Sequence, residues 1–186
     1  MSRSNPMTAP AAATPAAGNA DIHAALAATL RQSLDFLDGL DEATYNRGVP
    51  EAFDSTIGGH YRHVLEHFEP LVEAGSGEID YDARKRDHGV ETSVALAFRR
   101  TEALLERALA MDPAALSRPL RVSYRVSCEA GGEASADSTL GREVMFGISH
   151  AIHHFALISV MAKLLGIALP EGFGMAPSTA RHRQRS

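Results

Sequence analysis

Four stretches of this chain repeat apolar residues at the spacing of an α-helix, and this pattern limits its possible folds more than any other feature. Apolar residues three and four positions apart form one stripe along a helix, and that stripe must be buried against a neighbour. Four such helices of about 20 residues bury their stripes against one another in a four-helix bundle. We therefore predict an all-α protein, a four-helix bundle whose helices cover about 21–40, 54–74, 91–111 and 138–166.

One segment between the third and fourth predicted helices has a different period. From Leu120 to Cys128, apolar or aromatic residues alternate with Arg and Ser, which is the pattern of a half-buried strand. Gly131 and Gly132 follow and favour a turn. The sequence therefore predicts a small β-hairpin between helices 3 and 4. Cys128 itself is expected to be a buried small apolar residue.

The two ends of the chain differ from its centre in composition. Residues 1–20 are mostly Ala, Pro, Ser, Thr and Gly and lack the apolar segment of a secretory signal, so we predict a flexible tail. Residues 176–186 are rich in basic residues and form a second predicted tail. The single domain between them is predicted to cover 21–175, a length typical of one globular domain.

Composition argues against several classes of protein. The net charge of −5 and the scattered Lys and Arg residues give no basic stripe, so no nucleic-acid partner is expected. No apolar run approaches the roughly 20 residues of a membrane span, so no membrane partner is expected either. With one cysteine the chain cannot form an intramolecular disulfide, which indicates a reducing compartment and a cytoplasmic protein. We also expect the protein to be a homodimer.

Six of the nine histidines fall in two short clusters, one in each of two predicted helices. On the fourth helix, His150 and His154 lie four residues apart at one edge of the apolar face, so their side chains can converge on one metal ion. His153 points about 100° away from His154, toward solvent. A second cluster on another helix strengthens the case for a metal site, because metal sites in bundles collect ligands from facing helices. That second cluster comprises His60, His63 and His67.

Two further residues of the fourth helix lie near the edge formed by His150 and His154 on a helical wheel. Glu143 is placed to accept a hydrogen bond from a liganding imidazole and so to fix its tautomer. Gly147 is expected to leave room for a bound molecule. The motif reads His-Ala-Ile-His-His and lacks the glutamate that acts as general base in zinc proteases, so a protease is not expected.

Two segments resemble motifs of the DinB-like superfamily of metal-binding four-helix bundles. They are Ser55-Thr56-Ile57-Gly58-Gly59-His60-Tyr61-Arg62-His63 and Ser149-His150-Ala151-Ile152-His153-His154. Family members tend to have a small-Ile-Gly segment leading to a histidine, and later an Asn/Ser-His-x-x-His-His segment. The resemblance covers about residues 20–170 and implies a DinB/YfiT-like fold. The Arg-Gly-Gln that usually follows the histidine pair is replaced by Phe155-Ala156-Leu157, so this chain lacks a polar feature that many members carry near the site.

The resemblance implies three metal ligands, which are His63, His150 and His154. The helical wheel of the second helix instead places His60 and His67 closer to the apolar face than His63, so both remain alternative ligands. Together with Glu143, these two histidines are also candidates for orienting the ligands or transferring protons. The two motifs assign no catalytic residue.

The implied ligand set limits the chemistry of the site. Three neutral imidazoles leave a divalent ion with its full charge and an open coordination position, as in catalytic sites, and they suit zinc, nickel or iron alike. Since relatives include thiol-dependent transferases and isomerases, the resemblance implies a metal-dependent enzyme acting on a small molecule by thiol transfer, isomerisation or hydrolysis. One alternative is a non-enzymatic metal-binding or stress-response bundle that acts as a sensor or an oligomerisation module. Another has no metal and interprets the histidines as a pH-sensitive interface.

One loop segment, Asp80 to Asp87, combines charges of both signs. We interpret it as a solvated loop, because runs of charge usually face water. The alternative is that this segment closes over an anionic substrate.

Overall fold

Most of the described chain is helical, as the apolar periodicity predicts. The computed structural model describes residues 18–52, 55–73, 77–129 and 131–183, so the predicted N-terminal tail lies almost entirely outside it. The four longest helices are α1 (Asn19–Leu37), α3 (Ile57–Glu73), α5 (Val94–Ala110) and α6 (Leu140–Leu164). Three shorter helices in this part of the chain are α2 (Glu42–Tyr45), α4 (His88–Thr92) and α7 (Pro177–Arg183), the last of which falls within the predicted basic tail.

The four long helices pack side by side around a shared apolar core. α1 contacts α5 and α6, and α3 contacts the same two helices. In α1, α3 and α6 the buried face follows the predicted apolar stripe, because that stripe is where their large apolar residues recur. In α5 the buried residues are Ala97, Thr101, Leu104 and Ala108, and Leu109 of the predicted stripe is exposed. Fully or almost fully buried core side chains include Leu26, Leu30, Tyr61, Phe68, Leu104, Val144 and Phe155.

The third predicted helix is divided into two. α4 ends at Thr92, and Ser93 then adopts an extended conformation with φ −119° and ψ 110°. The Ser93 hydroxyl accepts a hydrogen bond from the Leu96 N–H at 3.4 Å and so caps α5. A serine inside an apolar pattern can therefore start a new helix, which the periodicity did not indicate.

The N-termini of the first two long helices also differ from prediction. Asp21 was the expected cap of α1 but lies in its first turn, and the N-cap position is Gly18. Asp54 or Ser55 was expected to cap α3. Asp54 lies outside the described residues, and the Thr56 hydroxyl accepts a hydrogen bond from the Gly59 N–H at 2.9 Å.

The predicted β-hairpin is present and belongs to a three-stranded sheet. Strands β2 (Pro119–Arg125) and β3 (Glu133–Thr139) pair antiparallel. Strand β1 (Glu78–Asp80) was not predicted and pairs in parallel with β2, with Ile79 opposite Val122. Cys128, which was expected to be buried, is exposed between β2 and β3, so that expectation was wrong.

The sheet is attached directly to the start of α6. β3 ends at Thr139, whose hydroxyl accepts a hydrogen bond from the Arg142 N–H at 3.2 Å and caps α6. At the other edge, the Tyr81 N–H donates to the Ser123 carbonyl at 3.0 Å and continues the pairing of β1 with β2. The segment after β1 is therefore held beside the N-terminal half of α6.

α6 is the most apolar of the helices. By length and composition alone it could cross a membrane, and 33% of its most apolar window is buried inside the structure. A core helix of a globular protein has the same composition, and α6 packs against both α1 and α3.

Candidate metal centre

Five histidines meet where α3 packs against α6. α3 contributes His60, His63 and His67, and α6 contributes His150 and His154. The helices approach closely at Gly147, about one turn before His150. A Cβ at this position would lie only 3.1 Å from the side chains of Phe68 and Leu71. The expectation that Gly147 leaves room for a bound molecule was therefore wrong, since core side chains fill that space.

Three of these histidines, which we call the trio, are His63, His150 and His154. Each offers a ring nitrogen, and these atoms all lie within 4.8 Å of one another. Nε2 of His150 is 2.9 Å from Nε2 of His63, and the His63 and His154 rings have centroids 4.6 Å apart. His153, between the two α6 members, is exposed, as the wheel predicts.

All three trio rings are neutral at physiological pH. Burial, reinforced by the neighbouring histidines, lowers the pKa of His63 to about 2, of His154 to about 3 and of His150 to about 4. A neutral imidazole keeps the lone pair that a metal ion requires.

The donor set fits one divalent metal ion. Zinc–nitrogen bonds of about 2.0–2.1 Å place the ligand nitrogens of one ion roughly 3–4 Å apart. The 2.9 Å separation of the His63 and His150 nitrogens is close to that spacing, and the third nitrogen is within 4.8 Å. No ring has to leave its helix position for the three atoms to converge.

His60 contacts the trio from the start of α3. Its Nδ1 lies 3.1 Å from Nδ1 of His154, so one of the two rings donates a hydrogen bond to the other. Burial lowers the pKa of His60, which keeps this ring neutral as well. When Nδ1 of His154 is the donor in this contact, Nε2 of that ring carries the lone pair that an ion needs.

His67 lies on the other side of the trio and is only 7% exposed. Its ring centroid is 4.4 Å from those of both His63 and His150. Its Nδ1 donates a hydrogen bond to the His63 carbonyl oxygen at 2.8 Å, so Nε2 carries the lone pair. Burial lowers the pKa of this ring too.

Glu143 is buried near the cluster but has different partners from those predicted. Its carboxylate accepts hydrogen bonds from the Tyr81 hydroxyl at 2.9 Å, from the Ser138 hydroxyl at 2.6 Å and from Arg142 at 2.9 Å. The expected hydrogen bond from a liganding imidazole is not among these contacts. Glu143 instead holds Tyr81, whose ring stacks on His67 with centroids 5.4 Å apart. Burial and this carboxylate together raise the pKa of Tyr81.

The segment from Asp80 to Asp87 is not simply a solvated loop. Tyr81 is buried, and Arg84 is half-buried with its Nη1 hydrogen-bonded to Nδ1 of His63. The parallel pairing of β1 with β2 brings this segment to the histidines. No local sequence signal marks Arg84, because its position depends on the pairing of β1 with β2, in which Glu78 lies opposite Arg121.

A pocket of about 540 Å³ lies beside the histidine cluster. The sheet, the segment after β1 and the start of α6 form its walls. His67, Arg84 and Phe146 line it and also contact the trio, with the Phe146 ring stacked 5.9 Å from that of His150. The pocket therefore borders the trio through these three side chains.

A family model described as the DinB superfamily matches residues 25–158, which include both histidine clusters. The chain belongs to the DinB superfamily. The family predicted from the two motifs is thereby confirmed.

One curated relative matches part of this DinB-superfamily chain. The chain is 31% identical over 104 residues to FK506-binding protein 5 of Rhizopus delemar, which is 56% of this chain and 27% of that protein. The matched region thus spans about a quarter of the relative's length. No solved structure matches the chain significantly.

The lowered pKa values predict how the stability of the metal-free protein depends on pH. A trio histidine is neutral in the folded protein, but in the unfolded chain it binds a proton near pH 6.5. Below that pH the unfolded chain therefore binds more protons than the folded protein. The contribution of these histidines to the free energy of unfolding is fully present above pH 6.5 and is lost as the pH falls. We expect the Tm of chelator-treated protein to fall between pH 6.5 and 5, above the range in which carboxylates titrate.

Two variants separate the trio from the rest of the protein in this measurement. His63→Gln removes one lowered pKa, so its Tm should depend less steeply on pH over the same interval. His153→Gln changes an exposed ring and should keep the slope of the parent protein. A Tm of the parent protein that stays constant from pH 6.5 to 5 would contradict the prediction.

Proposed function

We propose that this chain is a DinB-type four-helix bundle that binds one divalent metal ion and acts as an enzyme on a small molecule. The ligands are His63, His150 and His154. The observation that carries the proposal is the convergence of three neutral imidazole nitrogens within 4.8 Å, from two facing helices. The packing of α1 and α3 against both α5 and α6 supports the bundle.

The donor set also defines what such an ion supplies. Held by three neutral ligands, it keeps its full charge, lowers the pKa of a bound water toward 7 and holds a bound thiol as thiolate. Zinc, nickel and iron are all compatible with imidazole ligands.

The pocket beside the trio supports an enzyme over a metal sensor. Its volume of about 540 Å³ lies within the roughly 300–1,000 Å³ of small-molecule sites. A sensor or purely structural site needs a sealed ion, whereas here a space large enough for a small molecule lies next to His67, Arg84 and Phe146, the side chains that contact the ligands. The reactions that fit are thiol transfer, isomerisation and hydrolysis.

His67 is the residue best placed to move a proton in this proposal. It lines the pocket, its tautomer is fixed by the His63 carbonyl, and its free lone pair is on Nε2. We infer that Nε2 accepts a proton from the molecule in the pocket. Tyr81, held by Glu143, stacks on the ring and keeps it in place.

Replacing His67 with glutamine tests the enzyme proposal. With zinc-loaded protein we expect the variant to retain its metal but to lose about 10²–10⁴-fold in rate, the usual contribution of general acid–base catalysis. The assays are ester hydrolysis with 4-nitrophenyl acetate and thiol transfer from glutathione to 1-chloro-2,4-dinitrobenzene, with metal content measured on the same samples.

The matched control is His153→Gln, which changes a histidine outside the pocket lining and should keep both metal and rate. A His67→Gln variant that turns over at the rate of the parent would remove the assigned role of His67. Equal rates for metal-free and metal-loaded parent protein would contradict the enzyme proposal itself.

A further inference from the structure

Arg84 is a half-buried cation beside the histidine cluster. Among the described residues it forms no ion pair. Its Nε is buried without a hydrogen-bond partner, and its Nη1 meets only a neutral ring, that of His63. Burying a charge without a counter-charge is costly, so this arrangement requires an explanation.

Other arginines nearby are paired with carboxylates. Arg62 lies 3.3 Å from Glu91, and Arg142 lies 2.9 Å from Glu143. Arg100 bonds Glu69 and also lies 3.2 Å from Asp87. Of the other carboxylates that line pockets with Arg84, Glu66 and Asp137 have arginine partners and Asp82 accepts the Arg125 N–H, so none of the described acidic side chains forms an ion pair with Arg84.

Binding of an ion by the trio would add to this excess of positive charge. An imidazole that binds a metal ion through its lone pair carries no negative charge, so the trio offers nothing to balance a divalent ion or the adjacent guanidinium. Like charges a few ångströms apart repel strongly in a half-buried site. An anion between the ion and Arg84 would relieve that repulsion.

The tautomer of His63 adds a geometric argument. A neutral imidazole carries one hydrogen, and accepting from Arg84 at Nδ1 places it on Nε2, the atom 2.9 Å from His150. Binding an ion through Nε2 moves that hydrogen to Nδ1, where a guanidinium cannot accept it. Arg84 must then turn away from His63, and it already lines the pocket.

Part of the pocket wall is aromatic. Tyr124 from β2 is 49% exposed and Phe146 from α6 is 41% exposed, and both line the pocket. Exposed aromatic faces of this kind bind flat apolar groups by stacking.

We propose that this pocket binds a planar organic carboxylate, with the carboxylate on Arg84 and the apolar body against Tyr124 and Phe146. The inference rests on the proposed function for the placement of the carboxylate beside the ion. The contacts with Arg84 and the aromatic wall are made by the protein alone.

Binding of benzoate and of its neutral analogue benzamide tests the role of Arg84. Titrations followed by NMR use zinc-loaded and metal-free protein, and zinc content is measured on every sample. We expect the parent protein to bind benzoate at least about tenfold more tightly than benzamide, as for a charge-assisted hydrogen bond. Arg84→Gln should remove this preference in both forms without releasing zinc.

The matched control is Arg86→Gln, which makes the same charge change at an exposed position of the same loop and should keep the preference. Equal binding of benzoate and benzamide by the parent protein would overturn the proposal. An Arg84→Gln variant that still prefers benzoate would also overturn it. That result would mean that Arg84 of the parent protein turns to Glu66 and Glu69 on its other side and not to the bound carboxylate.

The aromatic wall is tested with 2-naphthoate, which presents a larger flat surface than benzoate. The parent protein should bind 2-naphthoate more tightly than benzoate, and Tyr124→Ala should reduce that difference. An unchanged difference in Tyr124→Ala would contradict the placement of the apolar body.

If the parent protein takes up no zinc, the proposed function fails, while the benzoate preference of the metal-free protein still decides this inference.

Discussion

Replacing His150 with alanine is expected to abolish stoichiometric metal binding and to leave the fold intact. The parent protein should hold one divalent ion per chain, because its trio offers three ring nitrogens within 4.8 Å of one another. Removing one ligand should weaken binding by more than the 10–100-fold that loss of a residue supporting a ligand costs. Elemental analysis after equilibration with zinc, nickel or iron(II) and a competing chelator measures the change, and circular dichroism monitors the fold.

His153→Ala is the matched control for this experiment. It removes an imidazole from the same helix, but the ring is exposed and outside the trio, so the variant should still bind one ion. His67→Ala should keep the ion with a smaller loss of affinity. Equal metal contents in His150→Ala and the parent protein, with unchanged circular dichroism, would rule out the proposed ligand set.

Replacing Gly58 with alanine should cause a large loss of stability. A Cβ at this position would lie 2.0 Å from the Glu91 carbonyl oxygen and 2.7 Å from the Tyr45 ring. Neither neighbour can yield easily, because Glu91 is met through its backbone in α4 and Tyr45 is fully buried with its hydroxyl bonded to the Val90 carbonyl. We expect the free energy of unfolding to fall by at least about 3 kcal/mol, at the upper end for overpacking.

Gly48→Ala provides the comparison for this substitution. A side chain at Gly48 meets no atom within 4 Å, so its effect should stay within about 0.5 kcal/mol. Urea denaturation of both variants beside the parent protein measures the difference. A stable Gly58→Ala protein would show that α4 can move away from α3 at little cost, contrary to the packing described above.

The sequence predicted the helices well because each long helix has a continuous apolar stripe, and the hairpin because β2 alternates. It missed the break at Ser93, a single serine that interrupts the third predicted helix and caps the N-terminus of α5. It also missed β1, a strand of only three residues whose partner lies some 40 residues later in the chain. Such a short segment has too few residues for its period to be recognised.

The candidate site was predictable to the extent that it depends on spacing within one helix. His150 and His154 follow from their separation by four residues. The wheel alone favoured His60 or His67 over His63, because it measures distance from the apolar face, whereas the trio forms on the flank of α3 that meets α6. Contacts between elements, such as Arg84 with His63 and Tyr81 with Glu143, depend on loop placement and gave no local signal.

The attachment of the loop after β1 to the hairpin separates two tasks along the chain. The histidines proposed to hold the ion are all on α3 and α6, whereas residues 81–84 and the strands provide most of the pocket wall. Under the proposed function, substitutions in the hairpin should therefore change which molecules enter the pocket while the proposed ligands keep their positions. To change the ligand preference proposed for the pocket, the hairpin strands are therefore the region to randomise, and the histidine-bearing helices are the part to leave untouched.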